Sequence, residues 1–207
     1  SIASRTGNPM SNLSQMLLTL ERAGGSWEQL QAERDQRSIA NLARAAQEIF
    51  TQARMTATKE SAASEDRMAA ATLLCRSREY RQAGVGVLAS FLKPQFAMEI
   101  QAQALTALRE SGAKDVPTIL GQSWPELSVA MQERVLDCWM SRRDWTEDVL
   151  ARLERKEIVS ASIDPTHRER LARHATKVIA TRAAKVFSSV GDPSRAQVVE
   201  EYRKALA

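Results

Sequence analysis

The stretch 67–92, RMAAATLLCRSREYRQAGVGVLASFL, decides the fold. It reads as two successive apolar helices, the first carrying Ala70-Ala71-Thr72-Leu73-Leu74 and the second ending in Phe91-Leu92. The first motif returns as Ala104-Leu105-Thr106-Ala107-Leu108 and as Val135-Leu136-Asp137-Cys138-Trp139, at offsets of 34 and 31 residues. A looser fourth copy is Ala183-Ala184-Lys185-Val186-Phe187. The second motif returns as Ile119-Leu120 and Val149-Leu150, at offsets of 28 and 30. A single helix pair cannot bury its apolar face alone, so pairs repeating at this period are expected to stack into an α-solenoid.

Outward from this stretch the chain reads as all-α, because Ala, Leu, Gln, Glu and Arg dominate and no segment alternates β-branched with polar residues. Helices are expected at 9–23, 27–57, 62–76, 79–92, 96–111, 114–121, 126–142, 145–156, 165–174, 176–189 and 193–206, the second interrupted near Gln36 by the polar stretch 33–37. Several boundaries have a physical cause. Asn8, Asp164 and Asp192 each precede a proline, which places a capping side chain ahead of a residue whose missing N–H is not needed at the first helical position. Ser26 with Gln29, and Asp144 with Glu147, have capping-box spacing. Gly24-Gly25, Gly112 and Gly191 follow helical runs as C-caps. The period is short for HEAT or armadillo repeats, so the expected fold is a HEAT/armadillo-like α-solenoid of degenerate helix pairs. It forms one helical domain over 1–207, with N-terminal helices in 1–60 and the repeat array in 61–207.

Composition excludes other classes. Of 207 residues, 43% are apolar, 26% charged and 5% aromatic, and eight Gly and six Pro are too few for a low-complexity polymer. Charges are spread throughout, the mean hydropathy is -0.35, and no apolar run is long enough to cross a bilayer. The stretch has no basic n-region or apolar h-region, so no export signal is expected within it. Cys75 and Cys138 lie in apolar helical runs with no CxxC and no neighbouring His, which reads as buried free thiols and leaves a disulfide to the accident of the fold.

The net charge of +4 is unevenly placed. Residues 1–140 carry 15 basic and 15 acidic side chains, whereas 141–207 carry 14 and 10. That excess marks either a surface for phosphate or an acidic partner, or solvated helix faces of mixed charge; the close alternation in Arg168, Glu169, Arg170 and Arg173 favours the latter. His167 and His174 share a helix face among arginines that repel a cation, so they are read as surface histidines and not as metal ligands. No catalytic constellation, phosphate loop or cofactor motif is legible, and none is expected. Trp27, Trp124, Trp139 and Trp145 could form a stacking platform for a base or sugar. Trp139 falls on the repeat's core position, however, and Trp124 and Trp145 stand where a ring staples a helix start. Gly84 and Gly86 suggest a close helix crossing.

From about residue 67 onward a longer pattern is present: Arg67-x-x-Ala70-x-x-Leu73-Leu74, Phe91-Leu92-x-Pro94, Gln101-x-x-Ala104-Leu105-x-x-Leu108, Ser123-Trp124-Pro125 and Arg134-Val135-Leu136-Asp137. It continues through Ser141-Arg142, Trp145, Leu150-Ala151-x-Leu153-Glu154-x-x-x-Ile158, Arg168-x-x-x-Leu171-x-x-His174 and Ala180-x-Arg182-Ala183-Ala184-Lys185-Val186-Phe187. It closes on Arg195-x-x-Val198-Val199-x-x-Tyr202-x-x-Ala205-Leu206. This resembles the HEAT-like helical segment of large multidomain proteins of planctomycete and related bacteria. In those proteins a dehydrogenase-like β-propeller precedes the segment and a c-type cytochrome with a CxxCH motif follows it.

The resemblance implies a non-enzymatic scaffold or docking module in the bacterial cell envelope or periplasm, spacing the propeller from the cytochrome, and it transfers no catalytic residue. The expected partners are neighbouring domains of the parent protein or another protein, without a membrane span. The docking surface is expected to include Arg142, Arg143, Arg152, Arg155, Arg170 and Arg173. The alternative is a nucleic-acid-binding HEAT-like array, conceivably with base-repair chemistry as in alkylpurine glycosylases, drawing on the basic last third and on Trp124, Trp139 and Trp145.

Overall fold

A computed structural model of the chain describes residues 9–32 and 37–188. Among them are eleven α-helices and no strand, so the chain is all-α as its composition requires. None of these helices is long and apolar enough to cross a membrane. The expected helix at 193–206, its Asp192 cap, Gly191, the Asn8 cap and the closing Val198–Tyr202–Leu206 pattern lie outside the described residues. The chain divides into two compact units, Ser1–Ser128 and Val129–Ala207. The division falls inside the expected array, between its second and third copies, and not near residue 60.

The first unit contains α1 (Pro9–Arg22), α2 (Trp27–Ala32), α3 (Arg37–Thr58), α4 (Ser64–Leu74), α5 (Arg81–Ser90), α6 (Met98–Glu110), α7 (Val116–Ser123) and a 3-10 turn at Trp124–Glu126. Helix α3 presents Ala46, Phe50, Ala53 and Ala57 as one fully buried stripe, at the spacing of a single helix face, and lies against α4. Phe50 stands between two other rings, 5.3 Å from Trp27 and 5.5 Å from Tyr80, and Gln47 donates to the Tyr80 hydroxyl at 2.6 Å. That ladder ties α2, α3 and the turn before α5 together.

Local signals account for the start of α2 and the ends of α1 and α6. Ser26 and Gln29 form the expected reciprocal box: the Ser26 N–H donates to the Gln29 side chain at 2.8 Å, and the Gln29 N–H donates to the Ser26 hydroxyl at 3.2 Å. Helix α1 closes on Gly24, φ 84°, with Gly25 donating back to Leu20 at 2.9 Å and Gly24 to Glu21 at 3.0 Å, a Schellman closure. Gly112, φ 65°, follows α6 in the same left-handed conformation. Buried Gln101 donates to the Leu92 and Lys93 carbonyls at 3.0 and 2.9 Å, satisfying orphan acceptors beyond α5. The Trp124-Pro125 start differs from expectation. Residues 124–126 form the 3-10 turn, Leu127 is extended, and α8 begins at Val129.

The second unit contains α8 (Val129–Trp139), α9 (Arg143–Glu154), a 3-10 turn at Ser160–Ser162, α10 (Pro165–Ala172) and α11 (Lys177–Ser188). Helix α9 packs on α8 and α11, and α10 packs on α11. Asp164 caps α10 as its Asp-Pro sequence indicates, accepting from the His167 N–H at 3.1 Å. The Asp144–Glu147 box does not form. Arg142 holds the extended cap position, φ -134° and ψ 143°, so Asp144 lies inside the first turn and complements the helix dipole there.

In all three copies the first, second and last positions of the repeat motif are core. Ala70, Ala71, Leu73, Leu74, Ala104, Leu105, Leu108, Val135, Leu136, Cys138 and Trp139 are each at most 5% exposed. Of the fourth copy, Ala183 is buried while Val186 and Phe187 are half-buried. Gly84 is a close crossing, but Gly86 is not: a Cβ there would meet nothing within 4 Å.

Candidate functional site

The six arginines expected to dock a partner all lie in the second unit, and five of them pair with carboxylates of that unit. Arg143 pairs with Glu147 at 3.1 Å, Arg155 with Glu157 at 2.6 Å, Arg170 with Asp137 at 2.5 Å and Arg173 with Glu169 at 2.9 Å. Arg142 is exposed and lays its guanidinium 4.6 Å from the Trp145 ring centroid. Arg152 departs most from the expected role. Its side chain is 13% exposed, pairs with Asp148 at 2.8 Å and Glu157 at 3.1 Å, and covers the Trp139 ring at 5.7 Å. It is an internal clamp between the middle of α9 and the turn that follows the helix.

Nor do the six share one face. Arg143 and Arg152 are nine residues apart on α9, about two and a half turns, which places them on opposite sides of the helix. What the fold does bring together is Arg170 and Arg173, which line a groove of about 410 Å³ with Met140, Thr166, Glu169 and His174.

Next to this groove stands a cluster that sequence reading missed. His167 is 6% exposed, not a surface histidine. Its Nδ1 meets the Asp164 carboxylate, and its Nε2 lies 3.2 Å from Asp137 Oδ1, the oxygen that also accepts from Arg170. The ring therefore links α8 to the start of α10, and only a ring carrying both protons donates to both sides. Burial pushes the Asp137 carboxyl up, but hydrogen bonds from Arg170 and His167 outweigh it and hold the group below the usual aspartate range. Burial acts likewise on Asp164, where the His167 backbone and ring overcome it. The two carboxylates approach opposite nitrogens and do not converge on one point. Among the described residues no group of His, Cys, Asp and Glu is arranged to hold a metal ion.

The Asp164–His167 spacing is a local signal that could have been read as a capped, carboxylate-bound histidine. Asp137 sits thirty positions earlier on another helix and carried no such signal. His174 has a structural partner too, accepting from the Thr176 N–H at 3.0 Å where α11 begins.

The four tryptophans are 0–5% exposed, so none presents a ring on which a base or sugar could stack. Trp145 is buried at the start of α9 and Trp124 in the 3-10 turn. Neither Cys75 nor Cys138 is in a disulfide and both are buried, and burial pushes the Cys75 thiol up to about 12. Comparison with protein-family models, curated proteins and solved structures gave no match to this chain.

Proposed function

We propose that the chain is a non-enzymatic helical scaffold, a degenerate HEAT-like stack that holds neighbouring domains of a larger protein and docks one of them. The observation that carries this reading is the repeat itself, whose first, second and last motif positions are buried in all three copies. Contacts within the first unit support it: the first helices of successive pairs, α4 and α6, touch. The resemblance supplies the context, a propeller-type domain before the stack and a c-type cytochrome after it, in the bacterial envelope.

Docking through the second unit is best centred on Arg170 and Arg173, which share a groove, with Arg142, Arg143 and Arg155 contributing from other faces. Arg152 is committed to its own fold. The test begins with the parent gene: a CxxCH haem motif within about 40 residues after Ala207 supports the reading, and a stop codon there removes most of its support. The haem segment, produced separately, should then bind this chain in a salt-dependent way that Arg170→Glu with Arg173→Glu weakens.

A further inference from the structure

The C-terminal ends of α9 and α11 enclose a second groove, of about 380 Å³, lined by Leu153, Glu154, Lys156, Ser160, Lys185 and Val186. Leu153 is 3% exposed and forms an apolar floor with half-buried Val186. The acid in this groove is already neutralised. Arg182 grips Glu154 with two parallel hydrogen bonds of 2.8 Å, and those bonds hold its carboxyl below the usual range. Among the described residues, no carboxylate lies within ion-pairing distance of Lys156 or Lys185. The groove therefore combines an apolar floor, the Ser160 hydroxyl and two ammonium groups that have no ion-pair partner among the described residues.

The backbone adds an independent observation. Lys156 closes α9 in the left-handed conformation, φ 59°, with Glu157 donating to Arg152 at 2.9 Å and Lys156 to Leu153 at 3.1 Å. Among the described residues two other helix ends take that conformation, and both carry glycine, Gly24 and Gly112. A Cβ is strained there, so glycine is the residue that stability alone would choose. The chain instead holds a lysine at the rim of a groove whose opposite rim is also a lysine. Retained strain of this kind is characteristic of positions serving recognition.

We infer that this groove docks an acidic segment of a partner protein, its carboxylates meeting Lys156 and Lys185 and an aliphatic side chain covering Leu153 and Val186. A protein segment fits better than a nucleic acid or a lipid surface. Those present phosphates over a wide area and call for a broad field of free cations. Here the surrounding arginines, Arg152, Arg155 and Arg182, are each neutralised by Asp148, Glu154 or Glu157. The inference needs neither the repeat nor binding through any of the six arginines of the docking proposal, so either can fail without the other.

The test uses the whole chain and a fluorescein-labelled oligoglutamate peptide with one central Leu, followed by fluorescence anisotropy at low salt. The wild-type chain should bind with a Kd of about 100 μM or tighter. Lys156→Gly is the decisive variant because its two readouts move in opposite directions. It should raise the midpoint of thermal unfolding by about 2 to 4 °C by relieving the left-handed residue, while weakening the peptide about two- to fivefold. Adding Lys185→Gln should bring the total loss to about fivefold or more, whereas Lys177→Gln, at the other end of α11, should leave binding unchanged. A stabilised Lys156→Gly variant that binds as well as wild type would reduce Lys156 to a helix end and overturn the inference. So would a wild-type chain that ignores the peptide but binds phosphatidylserine vesicles or duplex DNA through the same lysines.

Discussion

Gly84 of α5 crosses α4 so closely that a Cβ built on it would lie 2.5 Å from the Ala71 carbonyl oxygen, with the Cys75 sulfur at 2.9 Å. The nearest atom is backbone, which cannot swing aside. Gly84→Ala should therefore force the helix pair apart and cost about 2 to 3 kcal/mol. Gly86, two positions on in the same helix, faces open space, so Gly86→Ala should stabilise by about 0.5 to 1 kcal/mol through helix propensity. Urea unfolding of the two variants checks both signs; equal effects would mean that α5 is not seated on α4 through Gly84.

Leu108 and Leu136 occupy two different core positions of the repeat, the fifth and the second, one in each unit, at 0 and 1% exposure. Truncating either to Ala should cost about 2 to 5 kcal/mol. Among the arginines, the structure ranks the costs differently from a uniform docking surface. Arg142→Glu with Arg143→Glu disturbs an exposed ring contact and an exposed ion pair and should cost about 1 to 1.5 kcal/mol. Arg152→Ala removes a mostly buried clamp on two carboxylates and Trp139 and should cost about 2 kcal/mol. Denaturant midpoints in the reverse order would contradict this assignment of roles.

The Cys75 thiol, 4% exposed and pushed up to about 12 by burial, is neither accessible nor ionised near neutral pH. Alkylation by iodoacetamide at pH 8 should reach Cys75 only as fast as the surrounding helices open, and should become rapid in 6 M guanidinium, about the range that unfolds even very stable domains. Peptide mapping of the modified site gives the answer. Rapid native labelling would show that the α4–α5 seam is open.

What the sequence made legible was local or periodic. Ser26 with Gln29 and Asp164 before Pro165 are read within one turn, and their hydrogen bonds form as the spacing indicates. Leu74, Leu108 and Trp139 are legible as core because they recur at one register. What escaped needed two distant elements or a backbone angle. His167 looked like one surface charge among arginines because Asp137, its second partner, comes from α8. The arginines looked like a common surface because sequence shows the charge and not the direction in which a helix carries it. Lys156 gave no signal because only glycine advertises a left-handed residue, as Gly24 and Gly112 did.

The Asp164–His167–Asp137 cluster makes the second unit sensitive to acid, and the direction follows from the two carboxyls. Both are held below the ordinary aspartate value of 3.8, so between that value and their folded ones the unfolded chain binds more protons than the folded chain. Their stabilisation is complete above about pH 5 and is lost as the pH falls through the folded values. Asp164→Asn keeps a side chain able to cap α10 but removes the charge facing His167, so at pH 7 it should cost less than Asp164→Ala, which loses the cap as well, about 1 kcal/mol. Urea midpoints measured from pH 7 down to pH 3 should fall less steeply for both variants than for the wild type. If Asp164→Asn follows the wild-type acid slope throughout, the charge on Asp164 does not contribute to holding α8 and α10 together, and the link rests on the Asp137–Arg170 pair instead.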